Sequence, residues 1–159
     1  MEKGRSKLGM LLGLFGIVFS AMVFATPIND YYKAHKDDIG MEAKAIPPKM
    51  ASLMLDDDYE EAIDVLQSLT ALKYLNYSGD QKRVQKYAKQ ATSAKGKYSK
   101  LLVDDDGKRK VSVYGIEKRG QVRKIIGIVE TKTQFVLILG KGKLSDQQIK
   151  YLPMLAKEL

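Results

Sequence analysis

Cysteine is absent from the 159 residues, so disulfides, thiolate nucleophiles, cysteine zinc sites and iron–sulfur ligation are all excluded. A chain of this size buries about two thirds of its unfolded surface, enough to fold without such staples. Histidine occurs once, as His35, which excludes metal sites built from several imidazoles. His35 shares one side of the helical stretch Ile28–Lys36 with Ile28, Tyr31 and Tyr32, and there it reads as a packed residue rather than a ligand. Nucleophile motifs are missing as well, since no Ser/Lys pair sits in a recognisable pattern. Two acidic clusters are present, Asp56-Asp57-Asp58 with Glu60-Glu61, and Asp104-Asp105-Asp106. Neither has the alternating Asp/Asn spacing of a calcium loop. They would serve glycoside chemistry only if the fold brought them within about 5–10 Å across a cleft. The chain is therefore expected not to be an enzyme, with no catalytic residue, cofactor or metal. Internal repeats and low-complexity segments are absent too.

A long uncharged run occurs at the N-terminus. Lys3, Arg5 and Lys7 precede 18 uncharged residues from Leu8 to Ala25, and Val23 and Ala25 suit signal-peptidase cleavage after Ala25. Residues 1–25 thus read as a signal peptide and 26–159 as a single α+β domain, exported to the periplasm or the extracellular space. The run is also of borderline spanning length, so an uncleaved membrane anchor is the alternative; Gly9, Gly13, Gly16 and Ser20 dilute its hydrophobicity and favour cleavage. Without a cysteine at the cleavage site, lipidation is excluded. Removing Glu2, Lys3, Arg5 and Lys7 with the leader takes the formal net charge from +8 to +6, which suits anionic envelope components such as lipid, lipopolysaccharide or acidic polysaccharide, and no nucleic-acid partner is expected outside the cytoplasm.

Against these absences stands one strong pattern. Lys108–Gly140 contains three extended segments joined by short polar turns, and Tyr98–Val103 leads into it through Asp104-Asp105-Asp106-Gly107. Val111 and Val113 share one face, while Tyr114 and Ile116 bridge to the other. Ile126 and Ile128 fall on one face and Ile125 and Val129 on the other, and Phe135–Leu139 is apolar throughout. Strands covered on both faces lose the apolar–polar alternation, so these last two segments are expected to be central. Asp106-Gly107, Lys118–Gln121 and Glu130–Thr133 supply the turns. The fold class is α+β: an antiparallel sheet with a C-terminal four-strand meander, packed by about four to five helices.

The earlier chain supplies the rest. Met41–Ile46 and Ala71–Tyr77 read as strands. Pro47-Pro48 starts a short helix whose Met50, Leu53 and Met54 look like core filler. Asp58 and Glu61 have the spacing of a capping box before the stripe Ile63, Leu66, Leu69. Asp80 is placed to cap a helix whose Val84, Tyr87, Ala88 and Ala91 occupy one arc. Ser145 and Gln148 form a second capping box, Leu144 and Ile149 a hydrophobic staple, and Ile149, Leu152 and Leu155 a docking face that Pro153 shortens. Between Gln81 and Val103 the basic residues are Lys82, Arg83, Lys86, Lys89, Lys95, Lys97 and Lys100, with no acidic residue among them. They are candidate anion-binding residues, although a solvated helix face is the favoured reading, because the apolar arc lacks the large residues that membrane-surface helices bury.

The runs IDVLQSLTALKYL (Ile63–Leu75), YSKLLVDDDGKRKVSVYG (Tyr98–Gly115) and IIGIVETKTQFVLILGKGKLSDQQI (Ile125–Ile149) resemble domain-of-unknown-function family 4252, small exported domains of bacterial envelopes. The resemblance implies an α+β fold and an envelope location, and brings no catalytic residues with it. Many members are lipoproteins, from which this chain departs by lacking the lipid-bearing cysteine. Their association with extracytoplasmic sigma factors points to envelope regulation. The function expected is that of a non-enzymatic protein-interaction or envelope-regulation module. If all helices cover one sheet face, a homodimer or protein partner is expected on the other. Binding of anionic envelope components through the basic helix is the alternative, and a hydrolase the more remote one.

Overall fold

The two apolar runs lie at the centre of one six-stranded antiparallel sheet, ordered β1-β2-β6-β5-β4-β3, in a computed structural model that describes residues 26–158. The signal-peptide assignment, residues 1–25, lies outside the described residues. Helix α1 (Pro27–His35) leads to edge strand β1 (Met41–Ala45). Helix α2 (Pro48–Leu53), a 3-10 turn (Asp57–Tyr59) and helix α3 (Glu60–Gln67) lead to β2 (Leu69–Ser78). Helix α4 (Gln81–Ser93) then carries the chain to the far edge. From there β3 (Ser99–Asp105), β4 (Lys110–Lys118), β5 (Gln121–Glu130) and β6 (Gln134–Leu144) return as the expected meander, and β6 pairs with β2. Helices α5 (Asp146–Ile149) and α6 (Leu152–Glu158) close the chain, with Pro153 in the first turn of α6.

Strand alternation divides the core in two. Val111, Val113, Ile125, Val129, Val136 and Ile138 face a cluster with residues of α2, α3, α5 and α6. Tyr114, Ile126, Ile128, Phe135, Leu137 and Leu139 face α1 and α4. Helices therefore cover both faces. That is why β5 and β6 are apolar on both sides, and the condition under which a partner was expected on a bare sheet face does not hold.

The β4–β5 hairpin is a two-residue turn, with Lys118 opposite Gln121 and both Arg119 (φ 56°) and Gly120 (φ 75°) left-handed. Such a type I′ turn matches the strand twist. The Asp80 carboxylate accepts from Arg83 N at 3.2 Å. Ser145 and Gln148 cap reciprocally, at 3.2 and 2.9 Å. Gln148 Nε2 also donates to Asp64 Oδ2 and Ser68 Oγ, both at 2.8 Å, tying α5 to α3.

Two expectations are corrected. Asp58 caps nothing: the 3-10 turn delays α3 until Glu60, and its N-cap is Tyr59, without a side-chain cap bond. Accordingly Ala62, Val65 and Leu66 are the buried residues of α3, and Ile63 is half-buried. The methionine stripe is not core either. α2 turns Pro48, Ala51 and Ser52 inward, leaving Met50, Leu53 and Met54 60, 81 and 80 % exposed.

Candidate functional site

Strand pairing gathers three lysines that are scattered in sequence. Lys73 shares a strand face with Leu75 and Tyr77, Lys124 with Ile126, and Lys141 with Leu139. This is the face that α1 covers. Lys124 stands directly opposite Lys141 across β5 and β6, and Ala71 stands opposite Lys141 across β2 and β6. Lys73, paired with Leu139, is the diagonal neighbour of Lys141. With Lys33 of α1, these side chains line one cleft of about 420 Å³.

The same end of the sheet carries irregular register, between Leu69 and Ala71 and between Val122 and Lys124. Bulges re-aim side chains and are common beside functional sites. Ala45 and Ala71 keep the walls low, while Ile28, Leu139 and Tyr98 supply apolar surface.

The electrostatics of the cleft are one-sided. Like charges placed directly across two strands destabilise the pair, as Lys124 and Lys141 are. Lys73 is held below the ordinary lysine pKa, first by burial and then by the positive charges of Lys141 and Lys33. Its Nζ lies 4.3 Å from the Tyr32 ring centroid, a cation–π contact that offsets part of the desolvation. Asp30 is the one carboxylate among the lining residues. Among the described residues no ion pair joins it to any of the four lysines; the ion pairs there are His35–Asp38 and Lys44–Glu42. An anion placed in the cleft would relieve this repulsion.

A family model, the domain of unknown function DUF4252, matches residues 32–152. The chain belongs to this family. The match takes in all six strands and all four cleft lysines of the DUF4252 domain. Curated proteins and solved structures provide no match.

The structure brings only some of the basic residues singled out in the DUF4252 sequence together. Lys82, Lys86 and Lys89 project from the exposed side of α4, and Lys97 is exposed beyond its end. Arg83 is engaged within the fold: its Nη2 donates to the Ile39 carbonyl and to Tyr87 Oη, both at 3.0 Å, and its guanidinium lies 4.6 Å over the Tyr77 ring. Lys95 Nζ is 3.5 Å from the Tyr98 carbonyl, with the Tyr114 ring 5.6 Å away. Lys100 is on edge strand β3, opposite Tyr114.

His35 is half-buried and packed, its ring centroid 4.4 Å from that of Tyr31 and 5.5 Å from that of Tyr87. Its Nδ1 lies 2.7 Å from Asp38 Oδ2, which also accepts from Tyr87 Oη at 2.9 Å. The bond with His35 is the main cause that holds the Asp38 carboxyl below its usual pKa. These contacts tie the end of α1 to α4.

The acidic clusters are apart. Glu60 and Glu61 line one open groove with Ser145 and Tyr151, and Asp105 lines another beside Glu130. Asp105 and Asp106 accept backbone N–H bonds of the β3–β4 turn at 2.7–2.9 Å. Among the described residues no three His, Asp or Glu side chains are grouped to hold a metal ion, and no helix is long and apolar enough to cross a membrane.

Proposed function

We propose that the DUF4252 domain is a non-enzymatic binding module acting outside the cytoplasm, and that it engages an anionic component of the cell envelope. One observation carries this reading: Lys33, Lys73, Lys124 and Lys141 converge on a cleft where a single carboxylate lines the wall. The basic run at the N-terminus followed by uncharged residues supports export. Thr26, which follows the proposed leader or anchor in sequence, lines the wall of the same cleft. The proposed site thus lies on the sheet rather than on α4.

Co-sedimentation with phosphatidylglycerol vesicles tests the proposal. A lysine near an anionic membrane contributes about 1 kcal/mol. Changing all four cleft lysines to glutamine is therefore expected to weaken binding by about tenfold or more, and raising the salt to about 1 M, where the screening length is about 3 Å, to abolish it. Equal binding to phosphatidylcholine vesicles, or no change in the variant, overturns it.

A second reading, association with another copy of the chain, is favoured by the exposed Met50, Leu53 and Met54 on a single helix. Static light scattering over a wide concentration range is then expected to find a dimer that Leu53→Lys returns to monomer. A wild-type monomer at every concentration ends that reading.

A further inference from the structure

The lysine cleft has more than charge. Its rim is cationic, and the surface between the lysines is Ile28, Leu139, Tyr98, Ala45 and Ala71. Ile28, Leu139 and Tyr98 are core residues, 1, 7 and 7 % exposed, that form the floor, whereas Ala45 and Ala71 are exposed. Any large side chain at Ala45 or Ala71 would occupy the space. A bare inorganic anion satisfies the lysines and leaves this apolar surface wet. Its volume, about 420 Å³, falls in the range of small-molecule sites, about 300–1,000 Å³, which combine apolar walls with a few polar groups that fix orientation.

We infer that the cleft binds an anionic amphiphile: a phosphate or carboxylate head between Lys33, Lys73, Lys124 and Lys141, and a single alkyl chain laid over Ala45 and Ala71 beside the edges of Leu139 and Tyr98. The inference rests on the anion-binding reading of the same cleft and adds the chemical class of the ligand. Charge complementarity selects the head. Lys73, Lys141 and Lys124 stand on three neighbouring strands, β2, β6 and β5, and Lys33 comes from α1, which covers that face, so a head group is met from both the sheet and the helix. The apolar part of the lining accommodates the chain, with exposed Ala45 and Ala71 beside the edge of Leu139. The amphiphile has two sources, a soluble molecule or a lipid drawn from a membrane.

Isothermal titration of the full chain with octyl phosphate, octyl glucoside and inorganic phosphate, all below micelle formation, separates these contributions. Octyl phosphate is expected to bind at least about tenfold more tightly than either the neutral-headed or the chainless probe, given that hydrogen bonds to charged groups and burial of an alkyl chain each contribute. Lys73→Gln/Lys141→Gln is expected to remove about tenfold or more of that affinity. Ala71→Phe, which fills the cleft and leaves every lysine in place, is expected to abolish octyl phosphate binding yet retain salt-sensitive sedimentation with phosphatidylglycerol vesicles. Circular dichroism melts confirm that each variant folds. Equal affinity for octyl glucoside, equal affinity for inorganic phosphate, or unchanged binding in Ala71→Phe each overturns the amphiphile. Failure of octyl phosphate with vesicle binding intact also overturns it and leaves the surface-binding reading standing; failure of both removes the two together. Retained octyl phosphate binding by a chain that ignores vesicles identifies the soluble source.

Discussion

Phe135→Ala is expected to cost about 3–5 kcal/mol, the range for truncating a fully buried phenylalanine. Phe135 has no exposed surface and begins the apolar run of β6, the strand that joins the meander to β2. Its ring stacks on Tyr87 with centroids 5.6 Å apart and planes 25° apart. Tyr87 in turn contacts Tyr77 at 5.2 Å and accepts the Tyr31 hydroxyl at its carbonyl, 2.9 Å away. Removing the ring therefore leaves a cavity where β6, α4 and α1 meet and unseats the tyrosine that donates to Asp38. Domains are stable by about 5–15 kcal/mol, so the variant loses a large share of the total, and its melting temperature is expected to fall by about 10–20 °C. Urea unfolding followed by circular dichroism measures the loss. A change below about 1 kcal/mol would mean that the second core is not packed around this ring.

The sheet was legible because its central strands are covered on both faces. Ile125–Val129 and Phe135–Leu139 break alternation in the way buried strands do, and both fall at the centre of the sheet. Capping by Asp80 and by Ser145 with Gln148 was legible because a cap is a local event set by residue type and spacing. Where helices are very short, residue type misleads. α2 has six residues, and its helical turn sends Ala51 and Ser52 inward, so the larger Met50, Leu53 and Met54 face solvent. Asp58 failed as a cap for a similar reason, since a 3-10 turn of three residues moved the helix start past it.

The candidate site was hidden for a different reason. The dense basic run from Lys82 to Lys100 is local and catches the eye, yet Arg83 and Lys95 are occupied within the fold, Lys82, Lys86 and Lys89 point outward from α4, and Lys97 and Lys100 lie beyond its end. The cleft lysines run from position 33 to position 141 and meet only through register. A signal was nevertheless present. Lys73, Lys124 and Lys141 each interrupt an apolar face two residues from its last large member, at the same end of three strands that neighbour one another. Strand order was the missing datum, because the β2–β6 pair joins segments separated by the whole meander.

That pairing is also the place where a single methyl group is expected to do the most damage. Gly142→Ala would set its Cβ inside van der Waals distance of the Ser68 carbonyl oxygen and 2.8 Å from Leu69 Cα. Both obstacles are backbone, so no side chain can swing aside. The Ser68 carbonyl also accepts from Lys143 N at 3.1 Å, which fixes the approach of the two chains, and the irregularity between Leu69 and Ala71 lies at the same point. The backbone of one strand must therefore move. The expected cost is about 3 kcal/mol, at the upper end for overpacking. Because Lys141 precedes Gly142 and Ala71 faces Lys141, the shift is carried into the wall of the cleft. Gly142→Ala is thus expected to lower the urea midpoint and also to weaken octyl phosphate binding at temperatures where the variant remains folded. Gly127→Ala is its control: the new Cβ would meet Ile138 Cβ at an ordinary 3.5 Å, with little expected effect on either reading. If Gly142→Ala melts like Gly127→Ala, the close approach of β2 and β6 at this end, and with it the geometry that gathers the lysines, is wrong.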